Sequence, residues 1–139
     1  MTRARNLPWY REYLHPALER YFQPSPSRHG AFSRGWSTED EIAWQENYRI
    51  WMKAVRDFAD KGGVVGAAED AGYIYTLYGF TYLRELELLQ EAGFHPIDVV
   101  QCATGNNAKL MGLEDKLGRV RPGFLADLIL LDENPLANF

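Results

Sequence analysis

The chain has 139 residues, 46% of them hydrophobic and 24% charged, with a net charge of -4. That is enough for one domain with its own core and too apolar for a disordered chain, and the acidic balance speaks against a nucleic-acid surface. No apolar run approaches the ~20 residues of a membrane span, and the single cysteine, Cys102, excludes an internal disulfide.

Residues 1–36 read as an irregular region punctuated by Pro8, Pro16, Pro24 and Pro26, with turn signals at Ser25, Ser27 and Gly30. A short helix is expected at Pro16 to Tyr21. Trp9, Tyr10, Tyr13, Tyr21, Phe22, Phe32 and Trp36 need a surface to cover or a ligand to line, and packing is the simpler role. Arg3, Arg5, Arg11 and Arg20 are interrupted by Glu12 and Glu19, the pattern of a solvated face. No signal-peptide core is present at the N-terminus, so a cytoplasmic location is the default expectation.

A long helix is predicted near Thr38 to Lys61. Ser37 or Thr38 can cap it, and Thr38 with Glu41 makes a capping box. Trp44, Tyr48, Trp51, Val55 and Phe58 recur at spacings of four and three as one apolar stripe, and Gly62-Gly63 stops the helix. Gly63-Val64-Val65-Gly66-Ala67-Ala68-Glu69 then reads as a buried parallel strand, ending at Asp70 and followed by Ala71-Gly72. After a loop from Ala71 to Gly79 come helices near Thr81 to Ala92 and Pro96 to Met111, with Thr104 a candidate cap within the second. Cys102 falls inside that helix and reads as a buried structural thiol. Leu128 to Leu131 is an uninterrupted apolar strand pattern.

From about Glu39 onward the chain resembles metal-dependent amidohydrolases of the imidazolonepropionase and Xaa-Pro dipeptidase-like branch. The resemblance is carried by the order of five features: Asp70-Ala71-Gly72 after a strand, the run Glu85 to Gly93, Ala103-Thr104, Leu113-Glu114-Asp115, and Gly118-Arg119-Val120-Arg121-Pro122-Gly123-Phe124-Leu125-Ala126-Asp127 leading to Asp132. It implies an α/β fold: the C-terminal portion of a (β/α)8 TIM-type barrel plus a strand or two of the family's small β-sandwich. On that analogy residues 1–112 are the last part of the barrel, with the aromatic and proline-rich loop at 1–36. Residues 113–139 are a truncated piece of the sandwich.

The implied reaction is hydrolysis of a carbon–nitrogen bond by metal-activated water. The substrate would be a small-molecule amide, a cyclic amide or a dipeptide-like compound. Asp70 matches the family aspartate that both binds metal and moves the proton. Tyr73 and Tyr75, in the loop beyond it, are candidate substrate-binding residues. Glu69 departs from the small or hydroxylated residue usual at its position, and strand alternation turns it away from Asp70. The resemblance implies a divalent metal, zinc first among the candidates, in the complete site. His15, His29 and His95 stand far apart and match none of the family's ligands; His95 reads as a helix-start residue beside Pro96. Asp127 matches a sandwich-strand position and reads as a hydrogen-bonding or turn residue. The expectation is therefore a C-terminal amidohydrolase fragment that holds no metal tightly on its own. It would be completed by an N-terminal barrel segment or would self-associate, with no nucleic-acid or membrane partner. The rival is a catalytically inactive interaction module built from the same faces.

Overall fold

The computed structural model describes residues 8–23, 25–27, 36–72 and 76–137. The elements in chain order are α1 (Pro8–Tyr13), α2 (Pro16–Phe22), α3 (Thr38–Asp60), α4 (Thr81–Glu91) and α5 (Pro96–Gln101). A π-helical turn (Cys102–Asn106) then runs directly into α6 (Asn107–Leu110). By contacts the chain divides into two units, Met1–Gln45 with Glu69–Tyr82, and Glu46–Ala68 with Leu83–Phe139. No helix among the described residues is long and apolar enough to cross a membrane.

In the first unit, α1 and α2 each begin with a proline, whose fixed φ suits a first helical position. His15 caps α2, its Nδ1 accepting from the Ala17 N–H at 3.1 Å. Tyr10 and Phe22 are buried with Leu77, and Trp9, Leu14, Leu18, Tyr21 and Phe80 pack around them. Trp9 stacks on Phe80 with ring centroids 4.7 Å apart, and Tyr13 lies against the same ring. Trp9, Tyr10, Tyr21 and Phe22 thus pack a core, whereas Trp36 is exposed and stacks on Trp44 with ring centroids 5.7 Å apart; Phe32 lies outside the described residues. The capping box of α3 is Ser37–Asp40, one residue earlier than Thr38–Glu41: the Asp40 carboxylate accepts from Ser37 N and Oγ, and Ser37 Oγ accepts from Asp40 N. Those hydrogen bonds, the backbone one first, hold the Asp40 carboxyl below its usual range.

In the second unit three helices end alike. Gly62, Gly93 and Gly112 have positive φ, and each is followed by a residue whose N–H bonds five residues back: Gly63 to Phe58, Phe94 to Leu89, Leu113 to Ala108. This is the Schellman arrangement, and it needs a residue without a Cβ at the left-handed position. Tyr48 donates to Glu91, and Arg84 pairs with Glu87 and Glu91. Desolvation and then Glu91 push the Tyr48 phenol up to about 12. Arg56 lies over the Phe94 ring at 4.9 Å and donates to the Gly93 carbonyl. Leu86, Leu89, Phe94, Val99, Cys102 and Ala108 are buried. Helix α5 starts at Pro96 behind the capping His95. Thr104 caps nothing: its hydroxyl bonds back to the Val100 carbonyl at 2.7 Å, and the helical path continues through it. Gly118, at φ +82, brings its backbone so close that a Cβ there would lie 2.8 Å from both Thr104 O and the Ala108 Cβ.

Two expected strands are not formed. No strand pairing exists among the described residues. Val64 to Glu69 follows the helix as anticipated, yet it pairs with no neighbouring strand; side-chain amides take main-chain groups of residues 65 and 67 instead. Gly118 to Asp132 is likewise without a ladder, and the apolar run Leu128 to Leu131 faces solvent, with Ile129 85% and Leu130 100% exposed. The partial β-sandwich is therefore not supported, and the described structure is helical where an α/β fold was expected. A strand is a relation between segments, and apolar, β-branched sequence alone cannot satisfy its N–H and C=O groups.

Candidate functional site

The segment that leads to Asp70 is held by carboxamides. Asn107 faces Ala67 with both ends of its amide: Oδ1 accepts from Ala67 N at 3.0 Å, and Nδ2 donates to Ala67 O at 2.7 Å. One residue earlier, Asn106 Nδ2 donates to Val65 O at 2.7 Å. Residues 65 and 67 are two apart, so in extended chain their polar groups lie along one edge, which the two asparagines occupy as a neighbouring strand would. A Cβ on Gly66 would collide with Asn107 Oδ1 and with Leu110 Cδ1, so the close approach requires glycine. The asparagines sit at the junction of the π-helical turn and α6, and the wide turn sets two consecutive side chains toward the same segment.

Beyond Ala68 the chain enters a short loop. Asp70 is exposed, and its main-chain oxygen accepts from Thr76 Oγ1 at 3.1 Å. The Gly72 N–H donates to Thr76 O at 3.1 Å, which closes the loop. The Asp70 carboxylate is thus presented from a base tied at two points. Glu69 is committed elsewhere: its carboxylate accepts from the Gly79 N–H at 2.9 Å and from the Thr81 hydroxyl, at the start of α4. Negative charge is favoured there by the helix dipole and the unpaired N–H groups. Of the two adjacent carboxylates, Asp70 is left to face solvent. Tyr73 and Tyr75 lie outside the described residues, as does His29.

No group of three or more His, Cys, Asp or Glu side chains among the described residues could hold a metal ion. His15 and His95 are helix caps, each with Nδ1 taken by a backbone N–H. Zinc sites use three or four converging donors, and one carboxylate does not fit that requirement. Cys102 is buried, and burial pushes its thiol up, which suits packing and not nucleophilic attack. It borders a cleft of about 210 Å³ with Arg56, Val65, Phe94, Asp98 and Asn106. A second, open cleft of about 430 Å³ lies among Glu114, Asp115, Arg119, Arg121 and Phe124, where acids and bases mix. Asp127 is exposed.

An exposed carboxylate on a tied loop is a group that can accept and return a proton. Residues 47–139 match the sequence model of the Amidohydrolase family, more than half of the chain, and the chain belongs to that family. The family comprises hydrolases built on a TIM-type barrel and generally dependent on metal. No curated protein and no solved structure matches the chain.

Asn106 and Asn107 were not singled out as functional from sequence. The signal available was two adjacent asparagines inside a predicted helix, where both have poor propensity and need a reason to be there.

Proposed function

We propose that the chain is the C-terminal part of an amidohydrolase of the imidazolonepropionase and Xaa-Pro dipeptidase-like branch, acting on the carbon–nitrogen bond of a small-molecule amide or dipeptide-like substrate. In this reading Asp70 is the acid–base group. Its carboxylate takes the proton from the attacking water and returns it to the leaving nitrogen. Tyr73 and Tyr75 follow it in the loop and contact substrate. The metal, zinc first among the divalent candidates, is held mainly by histidines on another polypeptide segment, because the donors described here do not converge. The observation that carries the reading is Asp70 itself: inside the family match, exposed, and next to a Glu69 that is already committed to α4.

The test is complementation. The purified chain is assayed against dipeptide and cyclic-amide substrates with zinc, manganese or cobalt, alone and then with a segment carrying the missing barrel strands and histidines. The expected result is negligible turnover alone and metal-dependent hydrolysis by the mixture. Robust hydrolysis by the chain alone overturns the division of the site between segments.

A further inference from the structure

The segment from Leu113 to Leu125 is a closed loop with charged side chains that hydrolysis at Asp70 does not use. Its first turn is set by Lys116 N and Leu117 N, which both donate to Leu113 O at 2.9 Å. Leu125 N donates to Lys116 O at 2.9 Å and ties the two arms together. Phe124 N donates to Arg121 O at 3.1 Å around Pro122-Gly123, where Gly123 takes a φ of +89. Gly118 seats the loop against the π-helical turn and α6, where a Cβ would not fit. Main-chain bonds therefore fix the loop's path, and its charged side chains are not needed to hold it.

Those side chains line the cleft of about 430 Å³: Glu114, Asp115, Arg119 and Arg121, with Phe124 beside them. Two acids and two bases share one cleft, yet no ion pair or hydrogen bond joins them among the described residues. Elsewhere in this unit Lys53, Arg56 and Arg84 each take a carboxylate three to seven residues away. Arg121 instead lies over the Phe124 ring at 5.7 Å, so an aromatic face orients its guanidinium. Opposite charges held beyond ion-pair distance leave room for a ligand between them. An anion or a cation alone would meet two like charges in the same cleft. A molecule that carries both charges satisfies all four groups.

We propose that this cleft binds a small zwitterion of the α-amino acid type. Arg119 and Arg121 take its carboxylate, for which the planar guanidinium is the matched donor. Glu114 and Asp115 take its ammonium group. Phe124 offers an aliphatic side chain an apolar contact. The cleft has the size of a small-molecule site and exceeds what a single ion needs. Because it is open and its charges are solvated, binding is weak, with a Kd on the order of 0.1–1 mM. Binding here depends neither on hydrolysis at Asp70 nor on a metal.

The test is titration of the purified, metal-free chain with L-leucine, followed by amide chemical shifts. Shifts should saturate and concentrate in residues 113–125, and affinity should fall several-fold as salt rises. N-acetyl-L-leucine lacks the ammonium group and L-leucinamide lacks the carboxylate, and each should bind about tenfold more weakly. Arg121→Gln and Asp115→Asn should each weaken L-leucine by about tenfold as well, while Lys109→Gln, outside the cleft, should leave it unchanged. If a cleft variant does not fold, the two blocked ligands on the parent chain decide. No saturable shifts by about 10 mM L-leucine, far above the expected Kd, would overturn the proposal. Equal binding of N-acetyl-L-leucine would reduce the cleft to an anion site, and equal binding of L-leucinamide to a cation site; either overturns it. Shifts centred outside residues 113–125 would overturn it too.

Discussion

Asp70→Asn should lower turnover of the reconstituted hydrolase by at least about 10²-fold, and toward 10⁴-fold if the carboxylate serves both proton transfers. The change keeps the side chain's shape and removes the proton acceptor. The structural ties of the loop are main-chain groups, Asp70 O to Thr76 Oγ1 and Gly72 N to Thr76 O, so they survive the substitution. The loss should therefore fall on kcat, with the thermal transition unmoved. Glu69→Gln is the matched control. It weakens the acceptor used by Gly79 N and Thr81 Oγ1 at the start of α4, so it should cost about 1 kcal/mol of stability and leave kcat within a few-fold of the parent. If the two substitutions exchange these effects, Glu69 is the acid–base group and the assignment of Asp70 is wrong.

Asn107→Leu should destabilise the chain by about 2–4 kcal/mol, because it removes both hydrogen bonds to Ala67 and strands that residue's N–H and C=O against an apolar side chain. Asn107→Asp separates the two halves of the interaction. It keeps an acceptor for Ala67 N but sets a carboxylate oxygen against Ala67 O in place of a donor, so it too should destabilise. Asn106→Ala loses the bond to Val65 O together with the longer contacts of its amide to Cys102 Sγ and Gln101 Nε2, and should cost about 1 kcal/mol. Urea unfolding followed by circular dichroism gives all three values. Amide hydrogen exchange at Ala67 gives the local reading, with protection lost in Asn107→Leu. A change of less than about 0.5 kcal/mol in Asn107→Leu would mean that solvent replaces the asparagine without loss.

The helices were legible because their signals are local. The apolar stripe and acidic first turn of α3, the repeat of leucines in α4 and the His-Pro start of α5 each lie within a few residues of the structure they dictate. The glycines that end these helices do too, since a Schellman stop needs only a left-handed residue at the right place. Errors of detail came from competing local options. Asp40 reached Ser37 in preference to a Thr38–Glu41 pairing, and the Thr104 hydroxyl found the Val100 carbonyl in place of capping a new helix. Helix α1 was hidden because Pro8 reads as a breaker, although proline is at home in a first turn. The strands were the part that local sequence could not establish. Val64-Val65 has the composition of a strand, but whether it pairs depends on neighbours far away in sequence, and here asparagines 40 and 41 residues distant supply the partners. For the same reason Asp70 is proposed from its motif alone, while no motif names the asparagines that hold residues 65 and 67.

The central claim is that this chain carries one acid–base carboxylate of an amidohydrolase site without the converging donors that hold the metal. Calorimetric titration of the purified chain with zinc tests it most directly. The account predicts no saturable site of micromolar or tighter affinity, and the same flat response from Asp70→Asn. One equivalent of tightly bound zinc, lost in Asp70→Asn, would contradict it and place a complete metal centre within this chain.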